Sequence, residues 1–179
     1  MSIVRLSTAI ALGLCLAGGA SATQSGVPDQ RSARAHADAR RSLDGGDLKA
    51  AQIHLRNAVR HDPGNLEARY DLGIVNLRLG DLPAAEKDLQ QALAGGFAPD
   101  RALPEYGAVL LQLQKFDKLL AEIRPGDRAP QLEAKLRVLR AAAQTGLRRP
   151  DAAERELRES LAIQPAAAAH VGLDGEGFA

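Results

Sequence analysis

The chain has no tryptophan, and its two tyrosines and three phenylalanines bring aromatics to only 3% of 179 residues. Strands of sandwiches and barrels draw on aromatic and β-branched side chains, so this composition argues against an all-β fold. It also withholds the row of ring faces on which proteins stack single-stranded bases. Net charge is equally sparse: 23 Lys and Arg against 22 Asp and Glu leave +1. No bulk field draws the chain to DNA, RNA or anionic lipid, and nucleic acid is not expected as a partner. The single cysteine, Cys15, can build neither an internal disulfide nor a cysteine metal site. Long apolar runs are missing apart from one short stretch near the start. What is there is 45% hydrophobic and 25% charged residues, enough to bury a core in one domain or one short repeat array.

That one stretch has its own logic. Arg5 precedes an apolar run from Thr8 to Ala20, and Ala20-Ser21-Ala22 supplies the small-x-small pattern that a signal peptidase accepts. The run is too short and too rich in glycine to cross a hydrocarbon layer of about 30 Å. Residues 1–22 therefore read as a signal peptide cleaved after Ala22, followed by a linker over 23–31, and the expected location is periplasmic or secreted. An uncleaved anchor is one alternative. Another is lipidation at Cys15, which would make the chain an outer-membrane lipoprotein and give its only membrane contact; Leu14 stands where such cysteines usually follow a small residue.

The rest of the chain repeats. Gly46-Asp47-Leu48 returns 34 positions later as Gly80-Asp81-Leu82. The same offset aligns Ala51, Ala85, Leu119 and Ala153, and likewise Leu55, Leu89, Ile123 and Leu157. Ala39, Gly73, Gly107 and Ala141 form a small column, as do Ala58, Ala92, Gly126 and Ser160. A period of this length is the mark of a stacked array of supersecondary units. Within each unit apolar residues recur at three- and four-residue steps, as in Leu82, Ala85, Leu89, Ala92 and Leu93, which is one face of a helix. The predicted helices cover 29–44, 48–61, 66–79, 82–94, 101–114, 116–123, 131–146 and 150–163. Asp47, Asp81, Asn65 and Asp100 are predicted N-caps. Arg124-Pro125-Gly126 cuts the sixth helix short, and Pro63 and Pro165 mark unit ends. The small columns are expected to let the paired helices approach closely, with Gly73 facing Ala85 and Gly107 facing Leu119.

With Leu72-Gly73, Gly80-Asp81, Ala84-Ala85, Leu89 and Ala92-Leu93 in these places, the unit resembles the tetratricopeptide repeat. The resemblance covers 32–165 and implies an all-α helical-hairpin solenoid of about four units, the third degenerate. More narrowly, the stretch from Gly46 to Tyr70, with Ala84 to Leu89 and Gln114 to Ile123, is similar to the amino-terminal part of tetratricopeptide lipoproteins of the PEP-CTERM/exosortase system. Members of that group accompany exopolysaccharide production and surface-protein sorting. The chain differs from them in lacking a well-placed lipidation cysteine and in ending after four units.

The family resemblance implies a concave groove, lined by the first helix of each unit, that receives an extended peptide or a partner helix. It would place Ala33, His36, Ala37 and Arg40 of unit one on that wall, then Glu67, Tyr70, Asp71, Ile74 and Arg78 of unit two, then Arg101, Glu105 and Ala108 of unit three. Tyr70 is the aromatic anchor of this reading, since aromatic and Arg side chains dominate interface energetics. The bland reading makes the same residues ordinary solvated side chains. The positions at which some relatives clamp a terminal carboxylate hold His36, Arg40, Glu67 and Asp71, and two acids there would repel it.

Catalysis is not expected, and neither is a cofactor or metal. His54 and His61 are about two turns apart on one helix, too far for adjacent-turn metal pairing. No His-Glu-x-x-His run, nucleophile elbow or phosphate-binding loop is present. Residues 166–179 read as a flexible tail with too little pattern for a capping helix. Leu157 and Leu161 should then lie near an open edge that favours self-association or docking. A shortened copy of a longer array is the remaining alternative.

Overall fold

The computed structural model describes residues 29–171. The expected leader with Cys15, most of the linker and residues 172–179 lie outside the described residues. Eight helices follow in order, with no strand among the described residues: α1 Gln30–Asp44, α2 Leu48–His61, α3 Leu66–Arg78, α4 Leu82–Ala94, α5 Pro99–Gln112, α6 Phe116–Glu122, α7 Pro130–Gly146 and α8 Pro150–Val171. They form four helical hairpins, and every substantial helix–helix contact runs within a hairpin or to the next one. That nearest-neighbour pattern is a solenoid, in which each unit hides the face that its neighbour leaves bare.

The first helix of each unit ends the same way. The residue after its C-cap is left-handed in all four units: Gly46, Gly80, Gln114 and Arg148, with φ of 76°, 79°, 55° and 57°. Its amide closes the last turn, as Gly80 N–H does on Leu77 O at 3.1 Å and Gln114 N–H on Leu111 O at 2.9 Å. A glycine takes this conformation without steric cost, whereas Gln114 and Arg148 do not. Helix starts also divide the chain. Asp29, Asp47, Asn65 and Asp81 each accept an amide hydrogen bond at the N-termini of α1 to α4. Ala98, Lys115 and Ala129, which stand before α5, α6 and α7, make no such bond.

Three expectations need correcting here. Asp100 is not an N-cap, because Pro99, pre-set for the first helical position, starts α5 and leaves Asp100 inside the first turn. Pro165 does not end unit four: α8 runs through it to Val171, carried by the alanine run Ala166–Ala169, so part of the expected flexible tail is helical. The close approach of paired helices is also organised differently. A Cβ on Gly73 would lie 2.7 Å from Leu89 Cγ, and one on Gly107 would lie 2.9 Å from Ile123 Cδ1 and 2.8 Å from Leu139 Cδ1. The small column therefore receives the large Leu89 and Ile123 side chains, knob into hole, instead of meeting Ala85 and Leu119.

The short α6 leaves a gap that charge fills. At the repeat position of Leu72 and Tyr106, both buried, unit four has Arg140. Its guanidinium donates to Leu120 O at 3.2 Å and Ile123 O at 2.7 Å, the carbonyls orphaned where α6 stops, and its Nε donates to Glu156 Oε1 at 2.7 Å. Arg137 joins Glu133, Glu156 and Glu159 in the same layer. Between units two and three, buried Glu86 accepts from Lys115 at 2.5 Å and Lys118 at 2.7 Å.

Candidate functional site

The first helices α1, α3, α5 and α7 form one face of the array, and the step of 34 residues places their side chains in rows: His36, Tyr70, Pro104 and Val138 in one, Ala33, Glu67, Arg101 and Lys135 in another. Two open depressions lie along this face. One, of about 450 Å³, is bordered by Ala33, His36, Ala37 and Arg40 of α1, Glu67 of α3 and the loop residues Asp62, Gly64 and Asn65. The other, of about 340 Å³, lies between α5 and α7 and is lined by Pro104, Glu105, Ala108, Ala134, Lys135, Val138 and Leu139.

The first depression is polar, but its charges are spoken for. His36 Nε2 lies 2.7 Å from Asp71 Oδ2, and Arg40 donates to Glu67 Oε1 at 2.7 Å. The histidine pair is largely buried and the arginine pair open to solvent. His36 and Arg40 of unit one are thus each matched with an acid of unit two, so the four residues hold neighbouring hairpins in register and leave no net positive site for a carboxylate. Asn65 supports the same seam: its carbonyl caps α3 by accepting from Ala68 N–H at 3.0 Å, while its amide donates to buried Ser32 Oγ at 3.0 Å.

Between the depressions sits an aromatic stack. Tyr70 is only 9% exposed, and its ring lies 4.7 Å from that of Phe97 with 23° between planes. Arg101 covers this pair, its Cζ 4.9 Å from the Tyr70 centroid and 5.4 Å from the Phe97 centroid. Burial and the nearby Glu105 and Asp71 charges push the Tyr70 phenol above its ordinary value, against the opposing pull of Arg101. Tyr70 is therefore a floor already covered by Phe97 and flanked by Arg101, and the exposed group at the centre of the groove is Arg101. Ile74 is half-buried and packs on the core beneath. Arg78 is exposed at the end of α3 and lines neither depression.

The second depression differs in kind. Its lining is mostly apolar, with Glu105 on one side and Lys135 on the other, and Val138 is 47% exposed. Glu105 and Ala108 reach it as the repeat frame requires. Lys135 and Val138 are functional candidates that the sequence reading passed over. The signal for them was present, since one further step of 34 from Arg101 and Pro104 lands on both. Phe97 had no such signal, because it lies in the loop before α5, outside the helical period. Among the described residues no group of three or more His, Cys, Asp or Glu side chains is placed to hold a metal, and no helix is long and apolar enough to cross a membrane.

Comparison with known proteins agrees with this architecture. Residues 42–100 match the family model of the tetratricopeptide repeat. Among solved structures, MamA residues 41 to the end from Desulfovibrio magneticus RS-1 superimposes with a TM-score of 0.65 at 19% identity, covering 78% of each chain. A MamA RS-1 ArsTM double mutant gives 0.66 at 22% identity, again over 78% of each chain. A further MamA crystal structure gives 0.65 at 21% identity, over 76% of this chain and 80% of that one. Identities this low establish the fold alone. No curated protein matches the sequence. Residues 42–100 are thus similar to the tetratricopeptide repeat, and the fold of the described residues is the tetratricopeptide-type solenoid.

Proposed function

We propose that this chain is an exported scaffold that holds a protein partner, as an extended peptide or a single helix, across the face of α1, α3, α5 and α7. The observation that carries the proposal is the second depression: an apolar seat of about 340 Å³ with half-exposed Val138 in its wall, flanked by Lys135 and Glu105, which form no ion pair among the described residues. A side chain of one partner residue fits such a seat, while Lys135, Glu105 and Arg101 orient the partner's polar groups. The fitting ligand has an aliphatic or aromatic anchor with an acidic residue beside it for Lys135 and Arg101. The paired charges of the first depression set the register of units one and two and contribute little selectivity.

Export to the periplasm or beyond is supported by the leader pattern of residues 1–22, and a role in an exopolysaccharide or surface-export assembly by the likeness of Gly46 to Tyr70 to the PEP-CTERM-system lipoproteins. The mass of the chain recovered from its native cell tests the first: cleavage after Ala22 gives a protein beginning at Thr23, and retention of Met1 refutes it. For the groove, a photo-crosslinking residue is placed at Val138 and, as a control, at exposed Gln90 on α4. Capture of a partner from position 138 in the native cell, lost on Lys135→Glu, supports the assignment. Capture from position 90 with none from 138 refutes it.

A further inference from the structure

The two ends of the array are built differently. In units two and three the residues that cover the preceding hairpin are Ala68, Leu72 and Val75, then Ala102, Tyr106 and Val109, all buried. The same repeat positions on α1, which has no preceding hairpin among the described residues, hold Arg34, Asp38 and Arg41, with Arg41 and Asp38 paired to each other. The N-terminal edge is closed by charge, as a capping face should be.

Among the described residues the C-terminal edge is open. Leu55, Leu89 and Ile123 are fully buried, yet Leu157, at the same position in α8, is 44% exposed, and Leu161 one turn on is 64% exposed. A depression of about 320 Å³ lies beside them, lined by Thr145, Arg148, Pro150, Ala153, Glu154 and Leu157. The knob at Leu161 and the hole around Ala153 thus share one face of one helix, eight residues or about 12 Å apart. Between them stand Glu154 and Arg158, both exposed and paired with each other across one turn, a pair that can exchange for its copy across a twofold. Glu154 stands at the repeat position of Glu86, which in unit two takes two lysines from the next layer.

We propose that this edge is a self-complementary interface that docks a second copy of the chain, α8 lying antiparallel to α8 about a twofold axis near Leu157. That operation carries the Leu161 of each copy onto the hole around Ala153 of the other, and brings each Glu154 towards the other's Arg158. A surface that matches itself in this way closes as a dimer. Head-to-tail stacking is excluded by the same geometry, because Arg34, Asp38 and Arg41 offer no apolar face for Leu157 and Leu161. The inference is independent of the groove, which lies on a different face.

Sedimentation velocity on the full chain under reducing conditions tests it. The prediction is a species at twice 18.9 kDa, with Leu161→Glu weakening the dimer by about ten-fold or more and leaving the helical circular-dichroism signal unchanged. In a Cys15→Ser background, Leu157→Cys should oxidise to a linked dimer, since the axis brings each residue 157 near its own counterpart, while Ile53→Cys should not. A monomer at every concentration, open-ended association, a dimer indifferent to Leu161→Glu, or equal crosslinking at positions 53 and 157 overturns the proposal.

Discussion

Units one and two obey local rules that units three and four break, although all four share one period and one fold. In the first half every helix start has a side-chain cap, and the left-handed turn residue is glycine. The second half has uncapped starts before α5, α6 and α7, Gln114 and Arg148 in the left-handed position, and a seven-residue α6. Its order comes from tertiary charge: Arg140 ties the frayed end of α6 to Glu156, and Lys115 and Lys118 tie α6 to Glu86. The contrast shows that a repeat can lose its local signals and keep its shape when long-range pairs take over the same positions.

The contrast is broken most forcefully at Arg140. Arg140→Ala leaves Glu156 with Arg137 alone and strips two helix-end carbonyls of their donor, and we expect a loss of about 1–3 kcal/mol for each carbonyl in urea unfolding. Adding a methyl in the other half, by Gly73→Ala, drives a Cβ into Leu89 and should cost about 1–3 kcal/mol. The turn residues sharpen the comparison by moving in opposite directions. Gln114→Gly removes left-handed strain and should stabilise by about 1 kcal/mol, whereas Gly80→Ala introduces it and should destabilise by about 1–2 kcal/mol. Thermal melts of the two variants against the parent decide the signs.

The smallest effects are those of pH, and two neighbours on α4 should respond oppositely. Burial pushes the Glu86 carboxyl up, but hydrogen bonds from Lys115 and Lys118 outweigh it and hold the group below its ordinary value. Its contribution is present above the unfolded value of about 4.3 and is lost as pH falls through the lower folded value. Asp88 is the reverse: burial pushes it up, more than Arg69, Lys87 and the Asn76 amide, which donates to it at 2.9 Å, pull it down. Its contribution is present below the unfolded value of about 3.9 and is lost as pH rises through the higher folded one. In urea midpoints followed across the carboxylate range, Glu86→Gln should flatten the loss on acidification. Asp88→Asn should remove an opposing gain; slopes that leave either variant parallel to the parent contradict the assignment.

How much of this is legible in the sequence follows the same divide. The bounds of α2 and α4 can be read to the residue, because Gly46-Asp47 and Gly80-Asp81 carry both the turn and the cap. The start of α5 is misread by two residues because Asp100 looks like a cap while Pro99 has already begun the helix. Arg140 gives no local sign of its role, though a charged residue in a column held by Leu72 and Tyr106 in the two inner units marks a place where the packing must differ. In the groove the family resemblance places His36, Arg40, Glu67, Asp71, Arg101 and Glu105 on one face. What the sequence could not show is that the first four pair with one another and that Phe97, from a loop, covers Tyr70.

Site-resolved hydrogen exchange on Arg140→Ala tests the central contrast most directly. If the second half is held by long-range charge and coupled only to its nearest neighbours, protection should fall in α6, α7 and α8 while α1 and α2 keep theirs. An equal loss of protection across all eight helices would mean one indivisible core, and would contradict the account.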